Sequence, residues 1–367
     1  MVVEKKDDRG VPIEANLPKE KPQQAMECDK TQQQTSDGDE NAVIWCKNIL
    51  KGARISKITQ EYRDNKDYKA KMAISVSEAH PDKNRYKTTF CADENRVILK
   101  NRDSDNDYIH ASWMTMPDKT QFISTQGPIK NTLADFWHMI FTEKCTVIVM
   151  LCSYCEDNVE KCYEYFSSEM TKEYGEYRVK VVQKTTEQWR PVKYTVIQVS
   201  KKKEKHLVHH FWYYDWHDQV APLDPSPMVQ LYKSAMNKSQ GKPIVVHCSA
   251  GVGRTATFVG IHLGVEMIRE NASCELVAIM KALRKMRLGA IQSQLQYVFL
   301  LVCILELFVE DKIIKRDAEF ELLLKKYADL TKKPEEKTNT MREVPTKNSN
   351  RKSKRKEKGY RYIWKLN

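Results

Sequence analysis

Two residue types six positions apart carry the chemistry of this chain: a cysteine, Cys248, and an arginine, Arg254. The stretch between them, Ser249, Ala250, Gly251, Val252 and Gly253, holds two glycines and no bulky side chain but Val252. Such a loop turns its backbone N–H groups inward, and a helix starting at its end adds a positive dipole, which together make a receptor for phosphate. The same field stabilises a thiolate, so the Cys248 pKa is expected well below the free value of about 8.5. The planar fork of Arg254 suits two oxygens of a phosphoryl group, a match that lysine would not provide. Thr255 follows and can donate its hydroxyl to the sulfur. A sulfur nucleophile, an anion cradle and a fixed guanidinium suit transfer of a phosphoryl group onto sulfur. The loop carries the positive charge itself, so neither a metal nor a cofactor is expected. A Walker-type nucleotide loop is excluded, because no Lys-Ser/Thr follows the last glycine.

These residues need a rigid frame. Ile244-Val245-Val246 is a β-branched run that reads as a buried strand ending at the loop. Thr255 to Ile261 opens an apolar helix immediately after it. Set between strand and helix, the string His247-Cys248-Ser249-Ala250-Gly251-Val252-Gly253-Arg254-Thr255 resembles the signature of the cysteine-dependent protein tyrosine phosphatases. Ala256 stands where that family usually has glycine.

Other segments follow the family's order over about residues 41 to 315. Lys83-Asn84-Arg85-Tyr86 is similar to its KNRY segment, which implies that Tyr86 forms a wall of a pocket deep enough for phosphotyrosine. Thr88 replaces the aspartate that usually holds the substrate peptide. Asp107 to Ser112 resembles DYINAS, with His110 for the asparagine, and Phe122 to Pro128 resembles the strand-to-turn segment that precedes a helix. Family position implies that Glu156 anchors Arg254 and that Lys161 approaches the site. The chemistry calls for an acid, because the leaving phenolate has a pKa of about 10. Asp218, in Trp216-His217-Asp218, lies thirty residues before Cys248 and resembles the acid of the mobile WPD loop. His217 replaces its proline, Gln219 the usual aromatic or histidine, and Val220-Ala221 the usual Gly-Val. These changes predict a retained but slowed acid step. Ile291 to Tyr297 resembles the Gln loop, implying that Gln292 orients the attacking water with Gln296 nearby.

The chain has 367 residues, a formal charge of +12 and 41% hydrophobic residues, enough for a sizeable core. Its ten cysteines lack paired spacing, there is no N-terminal apolar signal segment, and no window reaches the length of a membrane span. Reduced thiols and a cytoplasmic location, with the nucleus as a second site, are therefore expected. Residues 1–40 are polar and nearly free of aromatics, which predicts a disordered segment. Residues 41–331 form the expected single α/β domain of the tyrosine phosphatase type, a twisted mixed sheet flanked by helices. Residues 332–367 read as a basic tail containing RKSKRKEK at 351–358, suited to an acidic partner or an import receptor.

Helices are expected from Ala42 to Leu50, Ile58 to Ala73, Thr132 to Phe141, Val259 to Arg269, Cys274 to Arg287, Leu295 to Phe308 and Phe320 to Leu330. Strands are expected at Cys145–Leu151, in an antiparallel pair over Tyr177–Val182 and Tyr194–Val199, and at His206–Tyr214. The histidines of the last strand fall on alternating faces with no completing ligand, so they read as structural. Cys152 and Cys155 read as the end of a core strand.

The expected function is hydrolysis of phosphotyrosine on proteins through a cysteinyl-phosphate intermediate. The alternative is a phosphotyrosine-binding protein of weak turnover that sequesters partners, suggested by His217, Gln219 and Thr88. A phosphoinositide or an RNA 5′-phosphate is a further substrate class. The altered loops are similar to those of the divergent phosphatases of polydnaviruses (bracoviruses), which implies an origin in that group.

Overall fold

The computed structural model describes residues 37–332. The leader expected to be disordered, up to residue 36, and the basic stretch at 351–358 lie outside the described residues. Helix α1, Asp37–Leu50, begins ahead of the boundary expected at residue 41.

Nine strands form one sheet: β1 Arg96–Ile98, β2 Tyr108–Thr115, β3 Gln121–Thr125, β4 Val147–Met150, β7 Lys172–Tyr174, β8 Tyr177–Trp189, β9 Val192–Lys201, β10 Glu204–Tyr213 and β11 Ile244–His247. A separate small ribbon pairs β5 Cys155–Glu156 with β6 Val159–Glu160. The order across the main sheet is β1-β2-β3-β11-β4-β10-β9-β8-β7. The inner pairings β3–β11, β11–β4 and β4–β10 are parallel, and the outer ones are antiparallel. All four residues of β4 and all four of β11 are buried. Side chains of a strand alternate between faces, so these central strands are covered on both sides.

The cover comes from helices α4 Leu133–Thr142, α5 Ser226–Ser239, α6 Arg254–Glu270, α7 Leu276–Met286 and α8 Gln294–Glu310. Helix α4 packs on β7, β8 and β9, α5 on β4, β10 and β11, and α6 on β3 and β11. Helix α8 backs α6, with every residue from Leu295 to Phe308 buried. Helix α9, Ala318–Thr331, closes the described region. This is the expected mixed sheet with flanking helices. No helix among the described residues is long and apolar enough to cross a membrane.

Two local expectations change. The helix expected over Ile58–Ala73 is α2, Ile55–Asn65, and the next helix, α3, starts only at Ser75. Its C-terminal end is taken over by Arg284, whose Nη1 donates to the carbonyls of Asn65, Lys66 and Tyr68 at 3.1, 2.8 and 2.9 Å. Those carbonyls are satisfied from another helix, so the chain leaves the helical path without a buried orphan acceptor. The antiparallel pair is much longer than expected, because β8 continues to Trp189. Polar residues of that extension stay on the ladder with β9, so their composition hides the strand.

Candidate active site

The loop from Cys248 to Gly253 leaves β11 at its carboxyl end and enters α6, at the edge of the parallel core where open α/β sheets collect ligands. Its carbonyls are held from outside. Cys248 O lies 3.1 Å from His247 Nδ1, and Ser249 O accepts from Gly127 N at 2.9 Å. Arg287 donates to Ala250 O at 3.3 Å and to Gly251 O at 3.0 Å. Val252 O accepts from Ile291 N and Gly253 O from Thr257 N, both at 3.0 Å. In a trans peptide the C=O and the next N–H point opposite ways, so carbonyls fixed outward turn the N–H groups inward. One of them is already engaged: Gly251 N donates to Cys248 Sγ at 3.3 Å. Gly251 has φ +71°, and a Cβ there would overlap the Thr125 carbonyl, so no other residue serves.

Arg254 is 1% exposed. Its Nη1 donates to Glu156 Oε1 at 2.6 Å and to Trp216 O at 2.5 Å. Nε and Nη2 are buried and have no hydrogen-bond partner among the described residues. That is the side edge of the guanidinium, whose two parallel N–H bonds match two oxygens of a tetrahedral anion. Burial works against the Arg254 charge, but Cys248, Cys152 and Glu156 nearby outweigh it and raise the pKa. Glu156 is pinned in turn by Ser153 N at 3.0 Å. The carboxylate of Asp218 stands on the other side, with Oδ1 3.6 Å from Arg254 Nη2 and Oδ2 3.0 Å from Lys161 Nζ. Burial alone would lower the Lys161 pKa; the hydrogen bond and charge of Asp218 raise it. The loop carrying Asp218 is closed on itself by Trp216 Nε1, which donates to Val220 O at 2.8 Å.

Tyr86 stands beside the loop. Ser249 Oγ donates to Lys161 O at 3.0 Å, so the 2.7 Å contact between the Tyr86 hydroxyl and Ser249 Oγ runs from tyrosine to serine. The Gln292 and Gln296 side chains meet beside Gly253, where an added Cβ would come within 2.7 Å of Gln292 Oε1 and 2.8 Å of Gln296 Oε1. Gln296 Oε1 also accepts from Gln292 N at 3.0 Å. The structure thus brings Cys248, Ser249, Ala250, Gly251, Val252, Gly253, Arg254, Asp218, Lys161, Tyr86, Gln292 and Gln296 to one place. Thr255 is a correction. It lies in the first turn of α6 beside the loop, but its hydroxyl is buried and has no hydrogen-bond partner among the described residues, so the expected bond to Cys248 Sγ is not formed. Thr88 is exposed.

Sequence reasoning missed Arg287, which holds two carbonyls of the loop from behind, and Tyr165. The Tyr165 hydroxyl bridges His210 Nε2 at 2.6 Å and His247 Nε2 at 2.9 Å, under the end of β11. Neither residue carries a local signal, because each acts on partners far away in the sequence. The other histidines of β10 are engaged by aromatic residues: His209 Nδ1 meets the Tyr194 hydroxyl at 2.7 Å, and His206 stacks on Phe141. Among the described residues the metal-type ligands that converge are Asp118, His262 and Glu266, away from the Cys248 loop, and His262 Nε2 already pairs with Asp118 at 3.1 Å.

A sulfur that accepts from a loop N–H, with an open guanidinium edge and a carboxylate beside that edge, is a site that can hold a tetrahedral oxyanion and exchange a group with it. Comparison with known proteins agrees. The family model described as protein-tyrosine phosphatase matches residues 80–306. Human receptor-type tyrosine-protein phosphatase eta is 33% identical over 272 residues, covering 71% of this chain and 20% of that protein. Human tyrosine-protein phosphatase non-receptor type 7 is 34% identical over 231 residues, covering 60% of this chain and 62% of that one. A solved structure described as "Structural basis of PTPN18 fingerprint on distinct HER2 tyrosine phosphorylation sites" superposes with a TM-score of 0.62 at 25% identity, covering 74% of this chain and 99% of that one. The chain belongs to the protein-tyrosine phosphatase family. It spans about a fifth of the first of these curated relatives and about three-fifths of the second.

Proposed function

We propose that the protein hydrolyses phosphotyrosine on proteins through a cysteinyl-phosphate intermediate. The observation that carries this reading is the pairing of a loop with out-turned carbonyls over Cys248 with the unmet Nε/Nη2 edge of Arg254. Cys248 sulfur attacks phosphorus while Arg254 and the N–H groups of Ser249 to Gly253 take the non-bridging oxygens. Asp218 gives its proton to the leaving tyrosine oxygen. Water, oriented by Gln292 with Gln296, then attacks phosphorus as Asp218 takes a proton back, which releases phosphate and restores the sulfur. Lys161 holds Asp218 over the cradle, Tyr86 lines the ring, and Thr255 supports the loop from the helix.

His217, Gln219 and Val220 in the acid loop support a slower acid step, and with Thr88 they support an origin among the divergent polydnaviral phosphatases. The basic stretch at 351–358 supports recruitment by an acidic partner or an import receptor, in the cytoplasm or nucleus. The test is phosphate release from a phosphotyrosine peptide. Turnover abolished in Cys248→Ser and reduced about a hundredfold in Asp218→Ala is expected. Tight peptide binding with no turnover by the unmutated protein would refute the hydrolase.

A further inference from the structure

A second sulfur lies behind the phosphate loop. Cys91, between α3 and β1, is 1% exposed and touches none of the groups assigned to the reaction. Its Sγ lies 2.8 Å from Arg287 Nη1, and Ser112 Oγ donates to it at 3.8 Å. Arg287 is 0% exposed. Its other contacts are Ser112 Oγ at 3.0 Å, His110 Nδ1 at 2.9 Å, and the loop carbonyls of Gly251 and Ala250. Among the described residues no carboxylate lies within ion-pair distance of it. A guanidinium buried without a counter-charge is strongly unfavourable. The groups around it are Cys91, His110, Ser112 and, beyond the sulfur, Tyr108. Serine and histidine supply no negative charge near neutral pH. Burial pushes the Tyr108 phenol up, so it stays neutral. Only Cys91 is left.

We propose that Cys91 is held as a thiolate, serves as the counter-ion of Arg287, and through it positions the Ala250 and Gly251 carbonyls that aim the phosphate loop. This rests on reading that loop as an oxyanion cradle. Burial alone would push the Cys91 thiol up; the Arg287 charge, with His110 and Ser112 beside it, outweighs that and brings the thiol down to about 6. Cys91 is a positioning residue. Protonating it leaves Arg287 unmatched, and a guanidinium that loses its anchor holds the loop carbonyls less firmly. His110, which stands for an asparagine in the motif it resembles, completes the frame: it accepts from Arg287 through Nδ1, and its Nε2 lies 3.0 Å from Thr89 O.

Two measurements on a Cys248→Ser background test this, since that background removes the sulfur of the loop itself. The first is the ultraviolet absorbance of thiolate. One thiolate at neutral pH, absent from Cys248→Ser/Cys91→Ser and titrating near 6, is expected. Equal absorbance of the two variants would overturn the ion pair. If the double variant does not fold, titration of Cys248→Ser alone shows either a thiolate step near 6, as expected, or none, which overturns it. The second is tungstate binding, with melting curves to follow folding. Cys91→Ser is expected to weaken it about tenfold and Cys91→Asp, which restores an anion, to recover most of the loss. Unchanged affinity in Cys91→Ser, or equal loss in both with folding intact, overturns the positioning role. Failure of the Cys248→Ser parent to bind tungstate at all sinks the oxyanion-cradle reading and the positioning role with it. The absorbance result still reads the ion pair separately.

Discussion

Replacing Glu156 by alanine removes the carboxylate that faces Arg254 across 2.6 Å, in a place where both side chains are nearly free of solvent. Removing one partner of a buried ion pair costs about 3–5 kcal/mol, because the remaining charge stays buried. Asp218 offers partial compensation, but it stands 3.6 Å away with a side chain 35% exposed, so its help is screened. The Trp216 carbonyl keeps one hydrogen bond on Nη1. The lower half of the range is therefore expected. A folded region of this length has an unfolding entropy of about 0.6 kcal/mol per degree, so Glu156→Ala should lower Tm by roughly 5–6 °C. Glu156→Gln keeps the shape and loses the charge, and should fall between. The free edge of Arg254 adds a second readout. Tungstate restores a negative charge beside the guanidinium, so it should raise the Tm of Glu156→Ala by more than it raises that of the parent. Thermal melts with and without tungstate make the measurement. A Tm within about 1 °C of the parent, with the same response to tungstate, would refute the view that this pair holds Arg254.

Gly251→Ala places a methyl group against the Thr125 carbonyl at a backbone φ of +71°, so it should abolish oxyanion binding by distorting the loop, as read by tungstate titration of the folded variant. Gly253→Ala would displace the Gln292 and Gln296 side chains, and the expected result in stopped-flow is a retained burst with a slower steady state. His210 and His247 are held neutral, chiefly by burial, with pKa values down to about 3 and about 4. Below about 6.5 each of these two histidines takes up a proton in the unfolded chain that it refuses in the folded one, so the pair makes stability fall with acidification by up to about 2.7 kcal/mol per pH unit. His210→Gln should reduce the slope of stability against pH by up to about 1.4 kcal/mol per pH unit in urea melts between about pH 6 and 4.5; an unchanged slope would contradict the buried neutral pair.

The sequence and the structure meet most closely where function depends on neighbours in the chain. Cys248 to Arg254 is one continuous loop, so its cradle is legible from two glycines, a strand before it and a helix after it. The Glu156–Arg254 pair was reachable only through family position, because 98 residues separate the partners. The frame behind the loop was not legible at all. Arg287 meets Cys91 across 196 positions and His110 across 177, and neither cysteine nor arginine announces such a partner locally. Thr255 shows the opposite failure: adjacency in sequence suggested a bond to Cys248, while the start of α6 leaves its hydroxyl unbonded. The end of α2, like the frame behind the loop, depends on a distant partner, since Arg284 caps it from α7.

The central claim is that phosphoryl transfer goes through Cys248. Rapid acid quench of Gln292→Ala with a phosphotyrosine peptide, followed by peptide mass analysis, tests it most directly, since slower attack by water should let the intermediate accumulate. Phosphate on the Cys248 peptide, absent from Gln292→Ala/Asp218→Ala over the same interval, is the predicted result. Phosphate released in full with no label on Cys248 at any time, or with label on another residue, would contradict the mechanism.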